Sequence, residues 1–308
     1  MSIRVGTGDY QYEVAEGWGD WPVNGVASDV ATDSQGRVYV AVRTAQSKDL
    51  NTGAIVVFDR DGNHLDTWGE DVFETCHGLW ISPKDEVFHA DAGDNTVTKF
   101  TTGGKLLMTI GTKGELGNPG EPFRSPTSVV QSNSGDIYVS DGYRQNRCHK
   151  FTSSGELVFS WGEGDNVYWQ ENVDGKVTGR AGVGPGEFNL PHHITVDRND
   201  LSYVQDRENN RCQVFDPDGK YITEWKDVRG SNDGVIDSDD VMHIAEAGGD
   251  AGVLIIKLDG EVIGRWGKRG DRPGQWKGAP HGLWIDKFGD MYVAEVGTQQ
   301  AIQKFIRI

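Results

Sequence analysis

Apolar and polar residues alternate along most of this chain, in short runs separated by glycine-containing turns. Alternation with a period of two is typical of β-strands that have one buried face. Asp-Gly and Gly-Gly pairs stand between many of the runs, and such pairs favour tight hairpins. The pattern therefore predicts an all-β protein built from short antiparallel strands.

One group of predicted strands recurs along the chain. Its most regular member is a strand rich in tyrosine, seen as RVYVAV (37–42), EVFHAD (86–91), DIYVSD (136–141), LSYVQD (201–206), VMHIAE (241–246) and DMYVAE (290–295). A unit repeated in this way cannot bury its apolar faces alone and is typical of β-propellers. We therefore expect a six-bladed β-propeller of four-stranded blades, forming one domain over residues 1–308. A β-solenoid is the alternative, and the uneven repeat length disfavours it.

The outermost strand of a blade ends in Trp-Gly in several copies, and no such strand follows the last repeat. A matching segment, YEVAEGWG (12–19), lies near the N terminus. We therefore expect the N-terminal strand to complete the sixth blade and close the ring, which leaves few exposed strand edges. Residues 163–183 depart most from the repeat and are expected to form an insertion loop after the third blade.

A further strand opens each repeat and is expected to line the central channel. The first positions of its six copies are Ser28, His77, Thr127, His192, Asp233 and His281. Histidine falls in alternate blades, so three imidazoles are expected to converge on the channel axis. Three histidines with one open position form a common catalytic zinc site, and other divalent transition metals suit the same ligands. His193 is expected to point away from His192, because neighbouring side chains alternate along a strand.

The turn after the second strand of a blade is expected at the same face as these histidines. In blades one, three and four it carries Arg43, Tyr143 and Arg207. Arginine binds a carboxylate with a two-pronged fork, so this face suits a small anionic substrate. Tyr143 is a candidate general base. The alternative for each arginine, Arg43 as well as Arg207, is a structural ion pair with a neighbour such as Asp206 or Glu208.

The chain is acidic, with 30 Lys and Arg against 47 Asp and Glu and a formal net charge of −17. This balance argues against nucleic acid and anionic membranes as partners. The N-terminal residues lack the apolar core of a signal peptide. Cys76, Cys148 and Cys212 are odd in number and far apart, which argues against a disulfide framework or a cysteine metal site. We therefore expect a cytoplasmic protein.

Four segments make the sequence resemble a known family. The blade pattern resembles the NHL-repeat propellers, and from Val26 to Phe305 the chain is more specifically similar to the peptidyl-α-hydroxyglycine α-amidating lyase domain of the peptidylglycine α-amidating enzyme family. The segments that carry this similarity are SDGYRQNR (140–147), PGEFNLPHHI (185–194), QDRENNRCQVF (205–215) and APHGLWI (279–285).

The resemblance implies roles for the residues selected above. It matches His77, His192 and His281 to zinc ligands, Tyr143 to the catalytic base, and Arg43 and Arg207 to active-site arginines. The reaction that it implies cleaves the C–N bond of an α-hydroxyglycine and yields an amide and glyoxylate. We therefore expect a metal-dependent lyase that acts on an α-hydroxy acid or carbinolamide. The alternatives are a metal-dependent hydrolase or hydratase, such as a lactonase, and a non-catalytic interaction module.

The sequence departs from the family pattern at four positions. Ala279 replaces a methionine beside the substrate pocket, so the pocket and its substrate are expected to differ. Gly282 replaces the acidic ligand of a structural calcium, which puts that calcium in doubt. Arg144 and Ser202 stand where secreted relatives have cysteines, in agreement with a cytoplasmic location.

Overall fold

The structure is a computed structural model that describes residues 2–43, 53–162, 182–299 and 301–308. These residues form six antiparallel sheets, five of four strands and one of five. Each innermost strand contacts the innermost strand of the next sheet, and the last contacts the first. The six-bladed β-propeller is therefore confirmed. The predicted insertion at 163–183 lies outside the described residues, except for 182 and 183.

The strands follow the order of the sequence repeats. The chain starts with β1 (Arg4–Thr7) and β2 (Tyr10–Ala15). Blade one contains β3 (Val26–Thr32), β4 (Val38–Arg43), β5 (Gly53–Phe58) and β6 (His64–Phe73). Blade two contains β7 (Cys76–Ile81), β8 (Glu86–Asp91), β9 (Thr96–Thr101) and β10 (Leu106–Ile110). Blade three contains β11 (Ser128–Gln131), β12 (Ile137–Asp141), β13 (Arg147–Phe151) and β14 (Leu157–Trp161).

The second half of the ring repeats this arrangement. Blade four contains β15 (Pro191–Val196), β16 (Ser202–Asp206), β17 (Arg211–Phe215) and β18 (Tyr221–Lys226), with a 3-10 helix at Arg207–Asn209. Blade five contains β19 (Ser231–Ile236), β20 (Val241–Glu246), β21 (Gly252–Lys257) and β22 (Val262–Trp266). Blade six contains β23 (Ala279–Ile285), β24 (Met291–Val296) and β25 (Ile302–Arg307).

The N-terminal strand closes the ring, as the sequence predicts. β2 pairs antiparallel with β25, from Tyr12 opposite Arg307 to Ala15 opposite Lys304. The structure adds one strand that the repeat pattern does not predict. β1 pairs with the outer edge of β2, so blade six has five strands.

The hydrophobic core lies between blades rather than within any one of them. Six clusters of buried side chains each join one pair of neighbouring blades. The second strand of a blade is therefore buried on both faces, and β12 and β16 are buried along their whole length. The outermost strands remain half exposed, and β14 carries exposed apolar residues. Because each blade needs both neighbours, the ring holds its channel residues in fixed positions.

Candidate metal centre

The three histidines of alternate blades stand at β-bulges. In β7 the pairing register shifts between Cys76 and Gly78, so His77 is an extra residue in its strand. The same shift brackets His192 in β15 and His281 in β23. A bulge redirects the side chain of its extra residue and is common beside functional sites. The bulges therefore bring three imidazoles to one end of the channel.

The imidazoles converge with their free nitrogens together. One ligand atom from each of the three lies within 4.8 Å of the others. Each Nδ1 lies close to a main-chain oxygen of the next blade: 2.6 Å from His77 to Thr127, 2.7 Å from His192 to Asn232 and 2.6 Å from His281 to Ser28. Such a bond places the proton on Nδ1 and leaves Nε2 as a lone-pair donor.

All three imidazoles are held in the neutral form that binds metals. Burial is the main cause that lowers the pKa of His77 and His192 well below the usual value. The positive charge of Arg43 adds to this effect at His77, and that of Arg207 adds to it at both residues. Burial and Arg43 lower the pKa of His281 to about 3. Three neutral nitrogen donors with an open side match the ligand set of a catalytic zinc site. The residues therefore fit a divalent metal ion.

The three predicted substrate-binding residues lie beside this cluster. The Tyr143 hydroxyl is 2.8 Å from Nε2 of His77 and 3.1 Å from Nε2 of His192. Arg43 donates from Nε to the main-chain oxygen of Cys76 at 3.0 Å, and its Nη2 is 3.4 Å from Nε2 of His281. The structure thus brings Tyr143 and Arg43 into direct contact with the ligand cluster.

Arg207 has contacts that agree with each of the two interpretations left open by the sequence. It starts the 3-10 helix after β16, and its Nε forms an ion pair with Glu208 at 2.9 Å. Its guanidinium also lies 6.0 Å from the centre of the Tyr143 ring. Arg207 therefore has a structural partner and still reaches the site.

These side chains open into a cavity of about 380 Å³. Its polar lining includes Arg43, Tyr143, Arg207, Glu208 and His281. Its remaining walls include the small residues Gly230, Ala247, Gly248 and Ala279. Its volume lies within the range of small-molecule sites. Two guanidinium groups against one carboxylate in the lining suit a small ligand with an anionic group.

In blade five the position that corresponds to the histidines is held by Asn232. The repeat pattern predicts Asp233 at this position, and the structure corrects that prediction. The register of β19 shifts between Ser231 and Asp233, so Asn232 occupies the bulge, and it lines the cavity. Asn232 directly precedes Asp233 in the sequence, and the repeat pattern alone does not distinguish between two adjacent positions.

A second ring of polar side chains lies one residue further along the inner strands. Nδ1 of His193 is 2.9 Å from Oδ1 of Asp233 and 3.0 Å from the Ser128 hydroxyl. Asp29 and Asp233 lie within hydrogen-bonding reach of each other. His193 therefore contacts Asp233 and Ser128, and its expected direction relative to His192 stays a prediction. The bulge at His192 interrupts the strict alternation of side chains on which that expectation depends.

The two rings together link every neighbouring pair of blades. The histidine ring joins blades two to three, four to five and six to one through the Nδ1 contacts given above. In the second ring, Ser128 and His193 join blades three and four. Asp29 accepts from the main-chain N–H of Leu79 at 2.6 Å, and Asp233 accepts from that of Leu283 at 2.7 Å, which joins blades one to two and five to six.

The position of the proposed calcium ligand is filled by this second ring. A Cβ at Gly282 would lie 2.4 Å from Oδ1 of Asp29, so the Asp29 carboxyl group takes up the space where a larger residue 282 would stand. The expectation about calcium itself stays a prediction.

Comparison with known proteins places the chain among β-propellers. NHL repeat-containing protein 3 of Homo sapiens is 30% identical over 334 residues, covering 96% of this chain and 84% of that protein. Peptidyl-alpha-hydroxyglycine alpha-amidating lyase 1 of Drosophila melanogaster is 35% identical over 153 residues, 48% of this chain and 26% of that protein. The solved structure of streptogramin B lyase matches 94% of this chain and 85% of its own, with a TM-score of 0.58 and 16% identity. No family model matches the sequence.

Two further observations concern the rest of the molecule. Cys76, Cys148 and Cys212 are buried free thiols. No helix among the described residues is long and apolar enough to cross a membrane.

Proposed function

This chain belongs to the family of NHL-repeat β-propellers, and we propose that within this family it acts as a metal-dependent lyase. Zinc is the proposed metal, and the proposed reaction cleaves the C–N bond of a small α-hydroxy acid derivative of the carbinolamide type. One observation carries the proposal. Three neutral imidazoles share one site with the Tyr143 hydroxyl and two guanidinium groups.

The histidines supply the metal site, and the proposal gives each of its neighbours one task. A bound divalent metal supplies Lewis acidity that makes a substrate hydroxyl easier to deprotonate. Arg43 and Arg207 bind the substrate carboxylate, because both residues line the cavity. Tyr143 acts as the general base and takes the hydroxyl proton at Oη.

The bonds that break and form account for all atoms and electrons, so the reaction needs no reactant other than the substrate. The electron pair of the O–H bond forms the new carbonyl, and the C–N bond breaks with its pair going to nitrogen. Tyr143 returns the proton to that nitrogen as the neutral amide leaves. The products are an amide and a 2-oxo acid of the glyoxylate type. A positioned general base of this kind contributes about 10²- to 10⁴-fold to the rate.

The net charge and the cysteines of the chain bear on its substrate and its cellular location. We propose a small anionic substrate rather than nucleic acid or a membrane, because the net charge is −17 and the arginine pair is local. We propose a cytoplasmic location, because the three cysteines of this chain are buried free thiols, and free thiols suit a reducing compartment.

A non-catalytic interaction module is the alternative function. The relative that covers most of this chain is named only for its repeats. Such a module has no need for three neutral imidazoles that point at one another, so we favour the lyase.

The test is a product assay with a matched tyrosine control. Protein purified without a histidine tag is loaded with zinc and incubated with N-benzoyl-α-hydroxyglycine, and benzamide and glyoxylate are measured. We expect both products in equal amounts, and a loss of at least about 100-fold in kcat for Tyr143→Phe. Tyr10→Phe, in the closing strand β2 and outside the cavity lining, should match the wild type. Equal rates with and without zinc, or an unaffected Tyr143→Phe, would reject the lyase.

A further inference from the structure

We propose that Asn232 is a positioning residue of this centre that sets the direction in which Arg207 meets an anionic substrate group. This inference rests on the proposed function, because it assigns a role within the same site. Asn232 stands at the bulge of β19, where blades two, four and six carry their histidines. Only 5% of its surface is exposed. A buried amide at a ligand-ring position must have its polar atoms bonded.

The main chain of Asn232 and its amide nitrogen support two of the histidines. Its main-chain oxygen accepts from Nδ1 of His192 at 2.7 Å. Its Nδ2 donates to the main-chain oxygen of Pro280, the residue before His281, at 2.8 Å. Asn232 therefore connects a ligand of blade four with the strand that carries the ligand of blade six.

The amide oxygen of Asn232 is the acceptor for Arg207. Nη1 of Arg207 lies 3.5 Å from Oδ1 of Asn232, and Glu208 holds Nε of the same guanidinium at 2.9 Å. Two sides of the planar group are thus held, and Nη2 has no partner among the described residues. A carboxylate can therefore bind at the Nη end of the fork.

The amide can do this only in one orientation. Because Nδ2 is committed to Pro280, Oδ1 is the atom left to face Arg207. Pro280 thus fixes the amide, and the amide fixes the guanidinium. If Asn232 merely filled space, its replacement would weaken charged and uncharged ligands alike.

The experiment compares two ligands that differ only in the carboxylate and cannot be cleaved. Binding of N-benzoylglycine and N-benzoylglycinamide is measured by calorimetry with zinc-loaded wild type, Asn232→Ala and Asn232→Asp. We expect the wild type to prefer the acid. Asn232→Ala should weaken the acid about tenfold, the loss of one charge-assisted hydrogen bond, and leave the amide unchanged. Asn63→Ala, in an exposed turn, is the control for the residue type.

Asn232→Asp provides a second test if the alanine variant does not fold. It keeps an acceptor for Arg207 but adds a negative charge, so the acid should bind more than tenfold more weakly while the amide keeps its affinity. Equal weakening of both ligands, or of neither, overturns the inference. Because neither ligand turns over, the result is independent of catalysis. Selective loss of acid binding in a protein without lyase activity would reject the proposed reaction and retain the role of Asn232.

Discussion

Nδ1 of His281 lies 2.6 Å from the main-chain oxygen of Ser28, which joins the last inner strand of the propeller to the first. The two residues are 253 positions apart in the sequence. The contact places the junction between the last and the first blade at the candidate metal centre. Metal binding is therefore expected to stabilise the closed ring.

The first prediction concerns this coupling. Wild-type protein should bind about one zinc ion per chain and gain roughly 5 °C in melting temperature when the metal is in large excess over its dissociation constant. His281→Ala should lose both the bound zinc and the gain in melting temperature, because only two of the three imidazoles would remain to hold the metal. Elemental analysis and thermal unfolding measure the two quantities.

A histidine outside the site provides the control for that experiment. His64 is exposed and contacts Thr67, so His64→Ala should keep the metal and the shift in melting temperature. Wild-type protein without bound zinc after incubation, or a His281→Ala variant that still binds one ion, contradicts the prediction.

The second prediction concerns Gly282, which directly follows the candidate metal ligand His281. A Cβ there would lie 2.4 Å from Cα of Asp29, a main-chain atom that cannot move freely. Gly282→Ala should therefore cost about 2 kcal/mol in the free energy of unfolding. Gly103 has no atom within 4 Å of the same position, so Gly103→Ala should be close to neutral. Urea unfolding measures both variants, and equal costs would show that packing at Gly282 is looser than described.

The third prediction concerns pH and the second ring. Burial and the neighbouring Asp233 raise the pKa of Asp29 well above its ordinary value. An acid whose pKa is raised on folding contributes stability that is complete below its unfolded pKa and is lost as the pH rises through the folded pKa. Asp29→Asn does not ionise. Its free energy of unfolding should therefore improve relative to wild type as the pH rises from about 4 to 8.

Asp233 provides the opposite case in the same ring. Burial raises its pKa, but His193 and the bonded N–H groups outweigh burial, so the net pKa is lowered. Its contribution is present above about pH 4 and is lost as the pH falls. Asp233→Asn should cost about 3 kcal/mol at neutral pH, because it leaves His193 and Leu283 without their anionic partner. If the free energy of unfolding of Asp29→Asn and that of Asp233→Asn changed with pH in the same direction relative to wild type, the opposite pKa shifts of the two carboxyl groups would be contradicted.

The fourth prediction tests closure by the N-terminal strand. Tyr12 is 1% exposed and packs in the cluster between blades five and six. Tyr12→Ala should lower the free energy of unfolding by about 3–5 kcal/mol, since it removes a large buried ring. Tyr221, which is partly exposed on the outermost strand of blade four, serves as the control, and Tyr221→Ala should cost less than about 2 kcal/mol. Similar losses would mean that β2 does not carry the closure.

The fold could be predicted because its repeat is local. Strands such as β12 and β16 show their type in their own residues, since period-two alternation and turn pairs depend on near neighbours. The closing role of β2 followed from a missing copy of the repeat. β1 could not be predicted, because it is an additional edge strand that belongs to no repeat.

The sequence by itself determined the six blades, the closing strand and the three histidines at one repeat position. Only the tertiary structure decided which way the channel residues face. A bulge adds one residue to a strand, so the positions after it no longer follow the alternation that sequence reasoning assumes. This is why the repeat pattern predicted Asp233 at the position where the structure places Asn232. The partners of Nδ1 and of the Asp29 carboxyl group lie on the neighbouring blade, and only the closed ring brings them together.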